Sequence, residues 1–345
     1  MNCLKFLRKK RRQPEAPKSE AAKISSIPPS SAMLSQQQCP LFNTLPAEIR
    51  NRIFHFALSP YTRKESPYAT NEYYYRPHFR YGDEYLDTAL LRTCRLIHSE
   101  TSQIPASRYL AVEYHSRAPP HHRPLTARAV RSTVGRLQHL HLFTQQYWLE
   151  GRNWLRHMLP FQSSLQTLKI TLRHSDWWFW EHSEPLAFNP TGDSSGSLRG
   201  HYRGTFNLEL SPMTALRKLE FELETVEGKQ AEMDYIATNA RAWQFPIDPA
   251  ASPPSSEPTD PDVVEEIALV LNEDKTRRWG WWGNRLPSGD HVDNDPVNAK
   301  ARLVKEGVDF TVPDGEPEIL TPDRLTYYVV NLVFERRVRT VGRSE

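Results

Sequence analysis

The chain has 345 residues, of which 38% are hydrophobic and 25% charged, so it can bury one large core or two smaller ones. The first twelve residues hold six basic side chains and no acidic one, so a net charge of +3 for the whole chain leaves −3 for the remainder. A slightly acidic body argues against nucleic-acid binding, and no apolar run reaches the roughly 18 residues of a membrane span. Three scattered cysteines exclude a disulfide framework and indicate an intracellular protein, in the nucleus or the cytoplasm.

Residues 1–40 are predicted to be disordered, because proline, serine, alanine and glutamine dominate them after the basic start. The basic run favours three alternatives: a nuclear-import signal, a membrane anchor if Cys3 is acylated, or a tail that only aids solubility. Asn2 excludes N-myristoylation, which needs glycine at that position. The candidate targeting residues are consecutive: Arg8, Lys9, Lys10, Arg11 and Arg12.

The stretch LFNTLPAEIRNRIFHFALSP, residues 41–60, predicts a first helix. Pro46 suits its first turn, Thr44 is a candidate cap, and Ser59 with Pro60 ends it. Helical spacing gathers four apolar side chains into a stripe, with polar residues expected on the outer side. The stripe consists of Ile49, Ile53, Phe56 and Ala57, and the polar side of Arg50, Asn51, Arg52 and His55.

A second helix is predicted from the apolar spacing of Leu90, Cys94, Ile97, Thr101 and Ile104, and Pro105 is expected to end it. Between the two helices lies an insert, residues 59–88, that contains seven tyrosines. Thirty residues is long for a loop within a compact domain.

The period changes after residue 105, where YLAVEYH alternates like a short strand. Three later segments, at 137–142, 165–170 and 216–221, share the pattern Leu-x-x-Leu-x-apolar and start 28 and then 51 residues apart. This pattern and spacing are typical of leucine-rich repeats, and a helical face between the first two copies favours parallel strands. An antiparallel hairpin over 206–223 is the alternative for the third copy.

Two more helices are predicted, over 228–243 and 260–274, with a flexible proline-rich insert at 246–262 between them. Residues 273–321 are expected to be irregular. LTYYVVNLVFERR, residues 325–337, predicts a strand buried on both faces that returns to the sheet begun near residue 110.

The expected fold class is therefore α+β: an N-terminal helical pair followed by a mixed sheet with leucine-rich-repeat-like strands and flanking helices. The expected regions are a tail at 1–40, a helical module at 41–115, an α/β region at 116–337 and a second tail at 338–345.

Catalytic and cofactor signatures do not emerge from the sequence. GDSSGSLRG lacks a nucleophile elbow, and no glycine-rich loop ends in Lys-Ser or Lys-Thr. His139 and His141 share one face of a predicted strand, but a third metal ligand is not evident nearby. We therefore expect a protein that is not an enzyme, with no cofactor and no metal.

Two tryptophan clusters, DWWFWEH and RRWGWWGNR, suggest either recognition surfaces or plugs that seat irregular loops on the sheet. The recognition candidates are Trp177, Trp178, Trp279, Trp281 and Trp282.

Both predicted helices carry residues that resemble an F-box. The matching positions are Leu45, Pro46, Glu48, Ile49, Ile53 and Phe54 in the first half, and Cys94, Arg95 and Ile97 in the second. The amino-acid sequence over about 44–115 is similar to that of a fungal family of F-box-like proteins of unknown function.

This resemblance implies that the two helices dock on a Skp-type adaptor of a cullin ubiquitin ligase. The downstream strands would then select a protein substrate that the sequence does not name. Helix-in-groove docking needs apolar anchors at helical spacing, which Leu45, Ile49 and Ile53 supply. The alternative is a scaffold or interaction protein unconnected to ubiquitin, whose helices pack on its own sheet and bury Ile49 and Ile53.

Overall fold

The computed structural model describes residues 36, 38–62, 64, 67–69, 72, 74–80, 84–120, 122, 137–150, 163–191, 206, 210–248, 263–284, 296–311 and 324–342. Helices within these ranges are α1 (Pro40–Asn43), α2 (Ala47–Ala57), α3 (Arg95–Thr101), α4 (Ile104–Arg108), α5 (Gln146–Glu150), α6 (Gln230–Asn239) and α7 (Pro296–Lys305). The strands are β1 (Leu110–Tyr114), β2 (His139–Phe143), β3 (Thr167–Leu172), β4 (Lys218–Val226), β5 (Gln244–Ile247), β6 (Val263–Leu271), β7 (Arg277–Asn284), β8 (Asp309–Thr311) and β9 (Arg324–Gly342).

The described strands form one mixed sheet of nine strands, so the predicted α+β class is confirmed. Its main path runs β1-β2-β3-β4-β9-β6-β5, with β7 beside β9 and β8 beside β7. Strands β1 to β4 are parallel to their neighbours, and β9 is antiparallel to β4, β6 and β7. Because β1 pairs with β2 along its whole length, the predicted division at residue 115 cuts through the sheet.

The repeated leucine pattern produces the parallel part of the sheet. Leu140, Leu168 and Leu219 are direct neighbours in register on β2, β3 and β4, and each is buried in the main core. The predicted parallel pair is therefore confirmed. The hairpin alternative for 206–223 is wrong, because β4 pairs with β3 in parallel and with β9 on its other edge.

β9 is the longest strand and organises the other half of the sheet. The prediction of a buried strand that returns to the sheet is confirmed, since Tyr327 to Val330 are all buried and β9 pairs with β4. It runs to Gly342, beyond the expected end at residue 337, because β6 pairs with its last nine residues. Strands β6 and β7 lie end to end along the same edge of β9.

The helix predicted over 260–274 is wrong, because β6 occupies most of it. Valines and isoleucine at helical spacing also fit a strand, and β-branched residues favour one. Ile267, Leu269 and Leu271 alternate into the core, while β9 and β5 supply both hydrogen-bonded edges.

The irregular structure predicted over 273–321 is also wrong in its described part, which contains β7, α7 and β8. In β7, Trp279 and Trp281 share one face and Trp282 lies on the other, and two glycines fill positions where a side chain would collide. A Cβ on Gly280 would lie 3.0 Å from atoms of both Leu303 and Phe310. The glycines that suggested a loop are thus packing positions in a strand.

α6 confirms the helix predicted over 228–243, and Met233, Ile236 and Trp243 are buried. The single helix predicted through Cys94 is wrong. A 3-10 turn at Ala89–Arg92, α3 and α4 replace it, because Cys94 is extended (φ −154°, ψ 163°) and interrupts the run. Pro105 lies in the first turn of α4, where proline is tolerated, rather than ending a helix.

The tyrosine-rich insert covers one face of the sheet. Tyr75 packs against Trp281 with ring centroids 6.1 Å apart, and Phe79 packs against His141 and Phe143, each at 5.5 Å. A bridge between Tyr61 and Tyr85 closes the described ends of the insert. The opposite face of the sheet carries the main core, so β2, β3, β4 and β9 are buried on both sides.

Gly283→Ala is expected to lower the free energy of unfolding by about 1–3 kcal/mol, as overpacking of a dense site does. The new Cβ would lie 2.7 Å from ring atoms of both Trp281 and Tyr327, which stack on each other. Urea denaturation measures the change, and Val338→Ala, at a position 56% exposed, is the control. Equal unfolding free energies for the wild type and Gly283→Ala would contradict this packing.

Candidate interaction surfaces

α2 carries two apolar stripes on opposite sides, because successive residues of a helix are rotated by about 100°. Phe54 and Leu58 form the inner stripe and are both 0% exposed. Ile49, Ile53 and Phe56 form the outer stripe and are 40%, 42% and 86% exposed. We call these three residues the α2 stripe; it faces solvent across the described residues.

The predicted polar outer side of α2 is therefore wrong in part. Arg50 is half-buried, donates from Nη1 to the carbonyl of Leu45 at 3.0 Å, and lies 5.3 Å over the ring of Phe42. The predicted cap is also wrong: Thr44 ends α1, and Pro46 takes the N-cap position of α2 without a side-chain hydrogen bond.

The first half of the F-box-like residues lies mostly on the surface. Pro46 and Glu48 are exposed and Leu45 is half-buried, all at the start of α2. Glu48 lies in the first turn, where a carboxylate favours the helix dipole. Phe54, predicted as a partner contact, is instead a core residue, because it lies on the inner stripe.

The second half serves the chain's own fold. Cys94 is half-buried and caps α3, its Sγ accepting from the backbone N–H of Ile97 at 3.5 Å. Ile97 is only 6% exposed, so its assignment to a partner surface is corrected. Arg95 is exposed.

Four of the five candidate recognition tryptophans are buried. Trp279, Trp281 and Trp282 belong to β7, and Trp177 donates from Nε1 to the carbonyl of Glu224 at 2.7 Å. Trp177 therefore fits the alternative that these tryptophans seat irregular loops on the sheet. Trp279, Trp281 and Trp282 are also buried, but they belong to a strand and not to an irregular loop. Of the five candidates, Trp178 is the one that is exposed, at 42%.

Trp178 belongs to a group of exposed aromatic side chains that the sequence reasoning did not assemble. Its ring stacks on Phe179 at 5.6 Å and meets the edge of Tyr147 at 5.9 Å. Tyr147 is 51% exposed and Phe179 is 40% exposed. We call these three residues the aromatic platform. Trp178 and Phe179 both belong to the DWWFWEH motif, which the sequence singles out. Tyr147 is distant from that motif in sequence and comes close to it only because β2 pairs with β3.

Buried and half-buried charged residues lie on the face of the sheet that the insert covers. Lys169 Nζ lies 2.6 Å from Glu222 Oε2 and 3.4 Å from Glu220 Oε1. Burial alone would raise the pKa of Glu222, but the Lys169 ammonium, together with Arg76 and the Thr171 hydroxyl, outweighs it and lowers that pKa. Burial would likewise lower the pKa of Lys169, and the two carboxylates raise it instead.

Arg76 connects the insert to this face of the sheet. Its Nε and Nη2 each lie 3.0 Å from a carboxylate oxygen of Glu224, and both side chains are more than nine-tenths buried. Trp281 Nε1 and the backbone N–H of His174 also donate to Glu224. Burial raises the pKa of Glu224, and the Arg76 guanidinium offsets only part of that rise.

His141 is expected to make the stability of the protein depend on pH. Burial, and then the Lys169 ammonium, hold its pKa well below the usual value, while its Nε2 lies 2.8 Å from Thr171 Oγ1. Below pH ~6.5 the unfolded chain takes up a proton on this residue that the folded chain does not. The free energy of unfolding should therefore fall by up to about 1.4 kcal/mol per pH unit from this residue alone.

Urea denaturation at pH 7.5, 6.5 and 5.5, for the wild type and His141→Gln, measures this contribution. The variant should show a shallower loss of stability below pH 6.5, because other titrating groups contribute equally to both proteins. Equal slopes would contradict a buried, neutral His141.

In the described part of the chain, no three His, Cys, Asp or Glu side chains are grouped to hold a metal ion. None of the helices in the described ranges has the length and apolar character of a membrane span. Cys3 and the candidate targeting residues Arg8 to Arg12 lie outside the described residues.

The fold and these surfaces define an α+β protein with a mixed sheet, an exposed apolar helix and an exposed aromatic platform. Comparison with protein-family models, with curated proteins and with solved structures gives no match for the chain.

Proposed function

We propose that the chain is a non-catalytic interaction protein whose α2 stripe docks on a Skp-type adaptor, making it a substrate receptor of a cullin ubiquitin ligase. The proposal rests mainly on the exposure of Ile49, Ile53 and Phe56, three large apolar side chains on one helix. The adaptor as partner follows from the resemblance of Leu45-Pro46-x-Glu48-Ile49 to an F-box.

The inner stripe of α2 supports this use of the outer one. Phe54 and Leu58 are fully buried, so α2 is packed on its inner side by residues that a partner does not need. A helix held in this way presents its anchors without a folding cost on binding. The alternative in which α2 packs its Ile49 and Ile53 on the chain's own sheet would require both side chains to be covered.

The second half of the F-box-like residues favours a second candidate, an interaction protein that uses the same stripe for a partner outside the ubiquitin system. Ile97 is buried, and the insert separates α2 from α3. In that case the stripe binds a protein, but not a Skp adaptor.

Retention of the purified full chain on an immobilised Skp adaptor tests the proposal and separates the two candidates. The full chain is needed because β1, at the end of the 41–115 region, pairs with β2. We expect retention at micromolar concentrations. No retention at tens of micromolar would rule out adaptor docking and favour the second candidate.

A further inference from the structure

The aromatic platform lies where neighbouring parallel strands end. Trp178 and Phe179 follow β3, and Tyr147 belongs to α5, which follows β2. Strands β2 and β3 are parallel neighbours, so their carboxyl ends meet at one edge of the sheet. In open sheets with parallel strands, this edge is the usual place for a binding site.

The platform is held in place by α5. Trp178 donates from its indole Nε1 to Glu150 Oε2 and from its backbone N–H to Gln146 Oε1, the latter at 3.1 Å. Gln146 in turn donates to the other carboxylate oxygen of Glu150 at 2.7 Å. The exposed ring therefore keeps one orientation, which reduces the entropy lost when a ligand binds.

The backbone at Phe179 is strained. Its φ is 52° and its ψ is 32°, in the left-handed region that bulky side chains rarely adopt. The ring nevertheless remains 40% exposed, so the conformation does not serve to bury it in the core. Strain that places an aromatic ring on the surface is a feature of binding sites.

The chemistry of the platform favours a cationic ligand. Aromatic faces attract lysine and arginine, and Glu150 adds a carboxylate at the edge of the Trp178 ring. A cation–π contact of this kind occurs nearby, where the guanidinium of Arg117 lies 5.6 Å over the ring of Trp180. Glu150 is half-buried, and the exposed Glu181 adds a second acidic residue in the 3-10 turn that follows Trp178 and Phe179.

We propose that the aromatic platform binds a basic segment of a partner protein, seating a lysine or arginine side chain against Trp178 and Tyr147 beside Glu150. That this partner is a ubiquitination substrate rests on the proposed function; that the platform binds a basic segment does not. The two surfaces are built from different elements, so each can be tested without the other.

Selection of random dodecapeptides on phage against the immobilised full chain, without adaptor, tests the platform. Selected peptides should be enriched in lysine and arginine over aspartate and glutamate. The best peptide, labelled with fluorescein, should bind Trp178→Ala at least about fivefold more weakly than the wild type. Glu150→Gln keeps an acceptor for the indole but removes the charge, so it should weaken binding and reduce its dependence on salt.

Tyr235→Ala is the matched control, because this tyrosine is 68% exposed on α6 and lies outside the platform. It should bind the peptide like the wild type, and Trp178→Ala should still be retained by the adaptor if adaptor docking holds. Selected peptides without basic enrichment, or equal binding by the wild type, Trp178→Ala and Glu150→Gln, would overturn the proposal.

Discussion

Replacing Arg76 with methionine is expected to lower the free energy of unfolding by about 3–5 kcal/mol, because it leaves a buried carboxylate without its cation. Arg76 donates from Nη2 to Glu224 Oε1, and its Nε forms an ion pair with the other carboxylate oxygen at 3.0 Å. It also donates to the carbonyl of Tyr75 at 2.6 Å and lies 5.4 Å over the ring of Trp281. Methionine keeps much of the volume, so the loss is mainly electrostatic. Urea denaturation at pH 7.5 measures it.

The double variant Arg76→Met with Glu224→Gln provides the control for this effect. Because no charge is then left unpaired, it should recover more than half of the lost free energy. A double variant no more stable than Arg76→Met would contradict the account, as would a single variant within 1 kcal/mol of the wild type.

The pH dependence of Arg76→Met gives a second check on the same cause. Without the guanidinium, burial raises the pKa of Glu224 further above its value in the unfolded chain. As pH falls through that higher pKa, the folded variant takes up a proton that the unfolded chain does not take up until pH ~4.3. The stability deficit of Arg76→Met relative to the wild type should therefore shrink between pH 7 and 5.

Ile53→Asp is expected to weaken adaptor binding by about 2–4 kcal/mol, or roughly 30- to 1,000-fold in Kd. The substitution puts a charge at the centre of the α2 stripe, between Ile49 and Phe56, which an apolar groove cannot solvate. Ile53 is 42% exposed, so the free energy of unfolding should change by less than about 0.5 kcal/mol. Calorimetric titration of the full chain against the adaptor measures the Kd.

Asn51→Asp serves as the control for Ile53→Asp, since it adds the same charge to the same helix outside the stripe. It should bind the adaptor within a few-fold of the wild type. Equal losses for Asn51→Asp and Ile53→Asp would indicate a general effect of charge on α2, and no loss for either would show that the stripe is not the docking surface.

The regular part of the fold follows from local pattern. Leucines at the same positions of three segments predict parallel neighbours, and β2, β3 and β4 place Leu140, Leu168 and Leu219 side by side. The continuous apolar run of β9 likewise predicts a strand covered on both faces. In these cases one pattern fits one structure.

The errors arise where one pattern fits two structures. Val263 to Leu271 satisfies helical and strand spacing equally, and the free edge of β9 decides between them. Glycines in β7 resemble loop residues until the rings of Trp281, Tyr327 and Phe310 are packed around them. Such outcomes depend on neighbours distant in sequence.

The candidate site shows the same limit. Helical periodicity identifies the apolar stripe of Ile49, Ile53 and Phe56 on α2, but it does not say whether the rest of the chain covers that stripe. That choice is made by tertiary packing, which buries Phe54 and Leu58 and leaves Ile49, Ile53 and Phe56 outside. Similarly, the sequence singles out Trp178, but its contact with Tyr147 requires β2 and β3 to be paired.

Methyl NMR of the isoleucine-labelled full chain, with and without saturating Skp adaptor, tests most directly whether the α2 stripe is a docking surface. We expect the methyl signals of Ile49 and Ile53 to shift or broaden on binding, while those of the buried Ile97 and Ile170 stay in place. Unchanged signals for Ile49 and Ile53 at saturating adaptor, or changes confined to other isoleucines, would contradict the proposal.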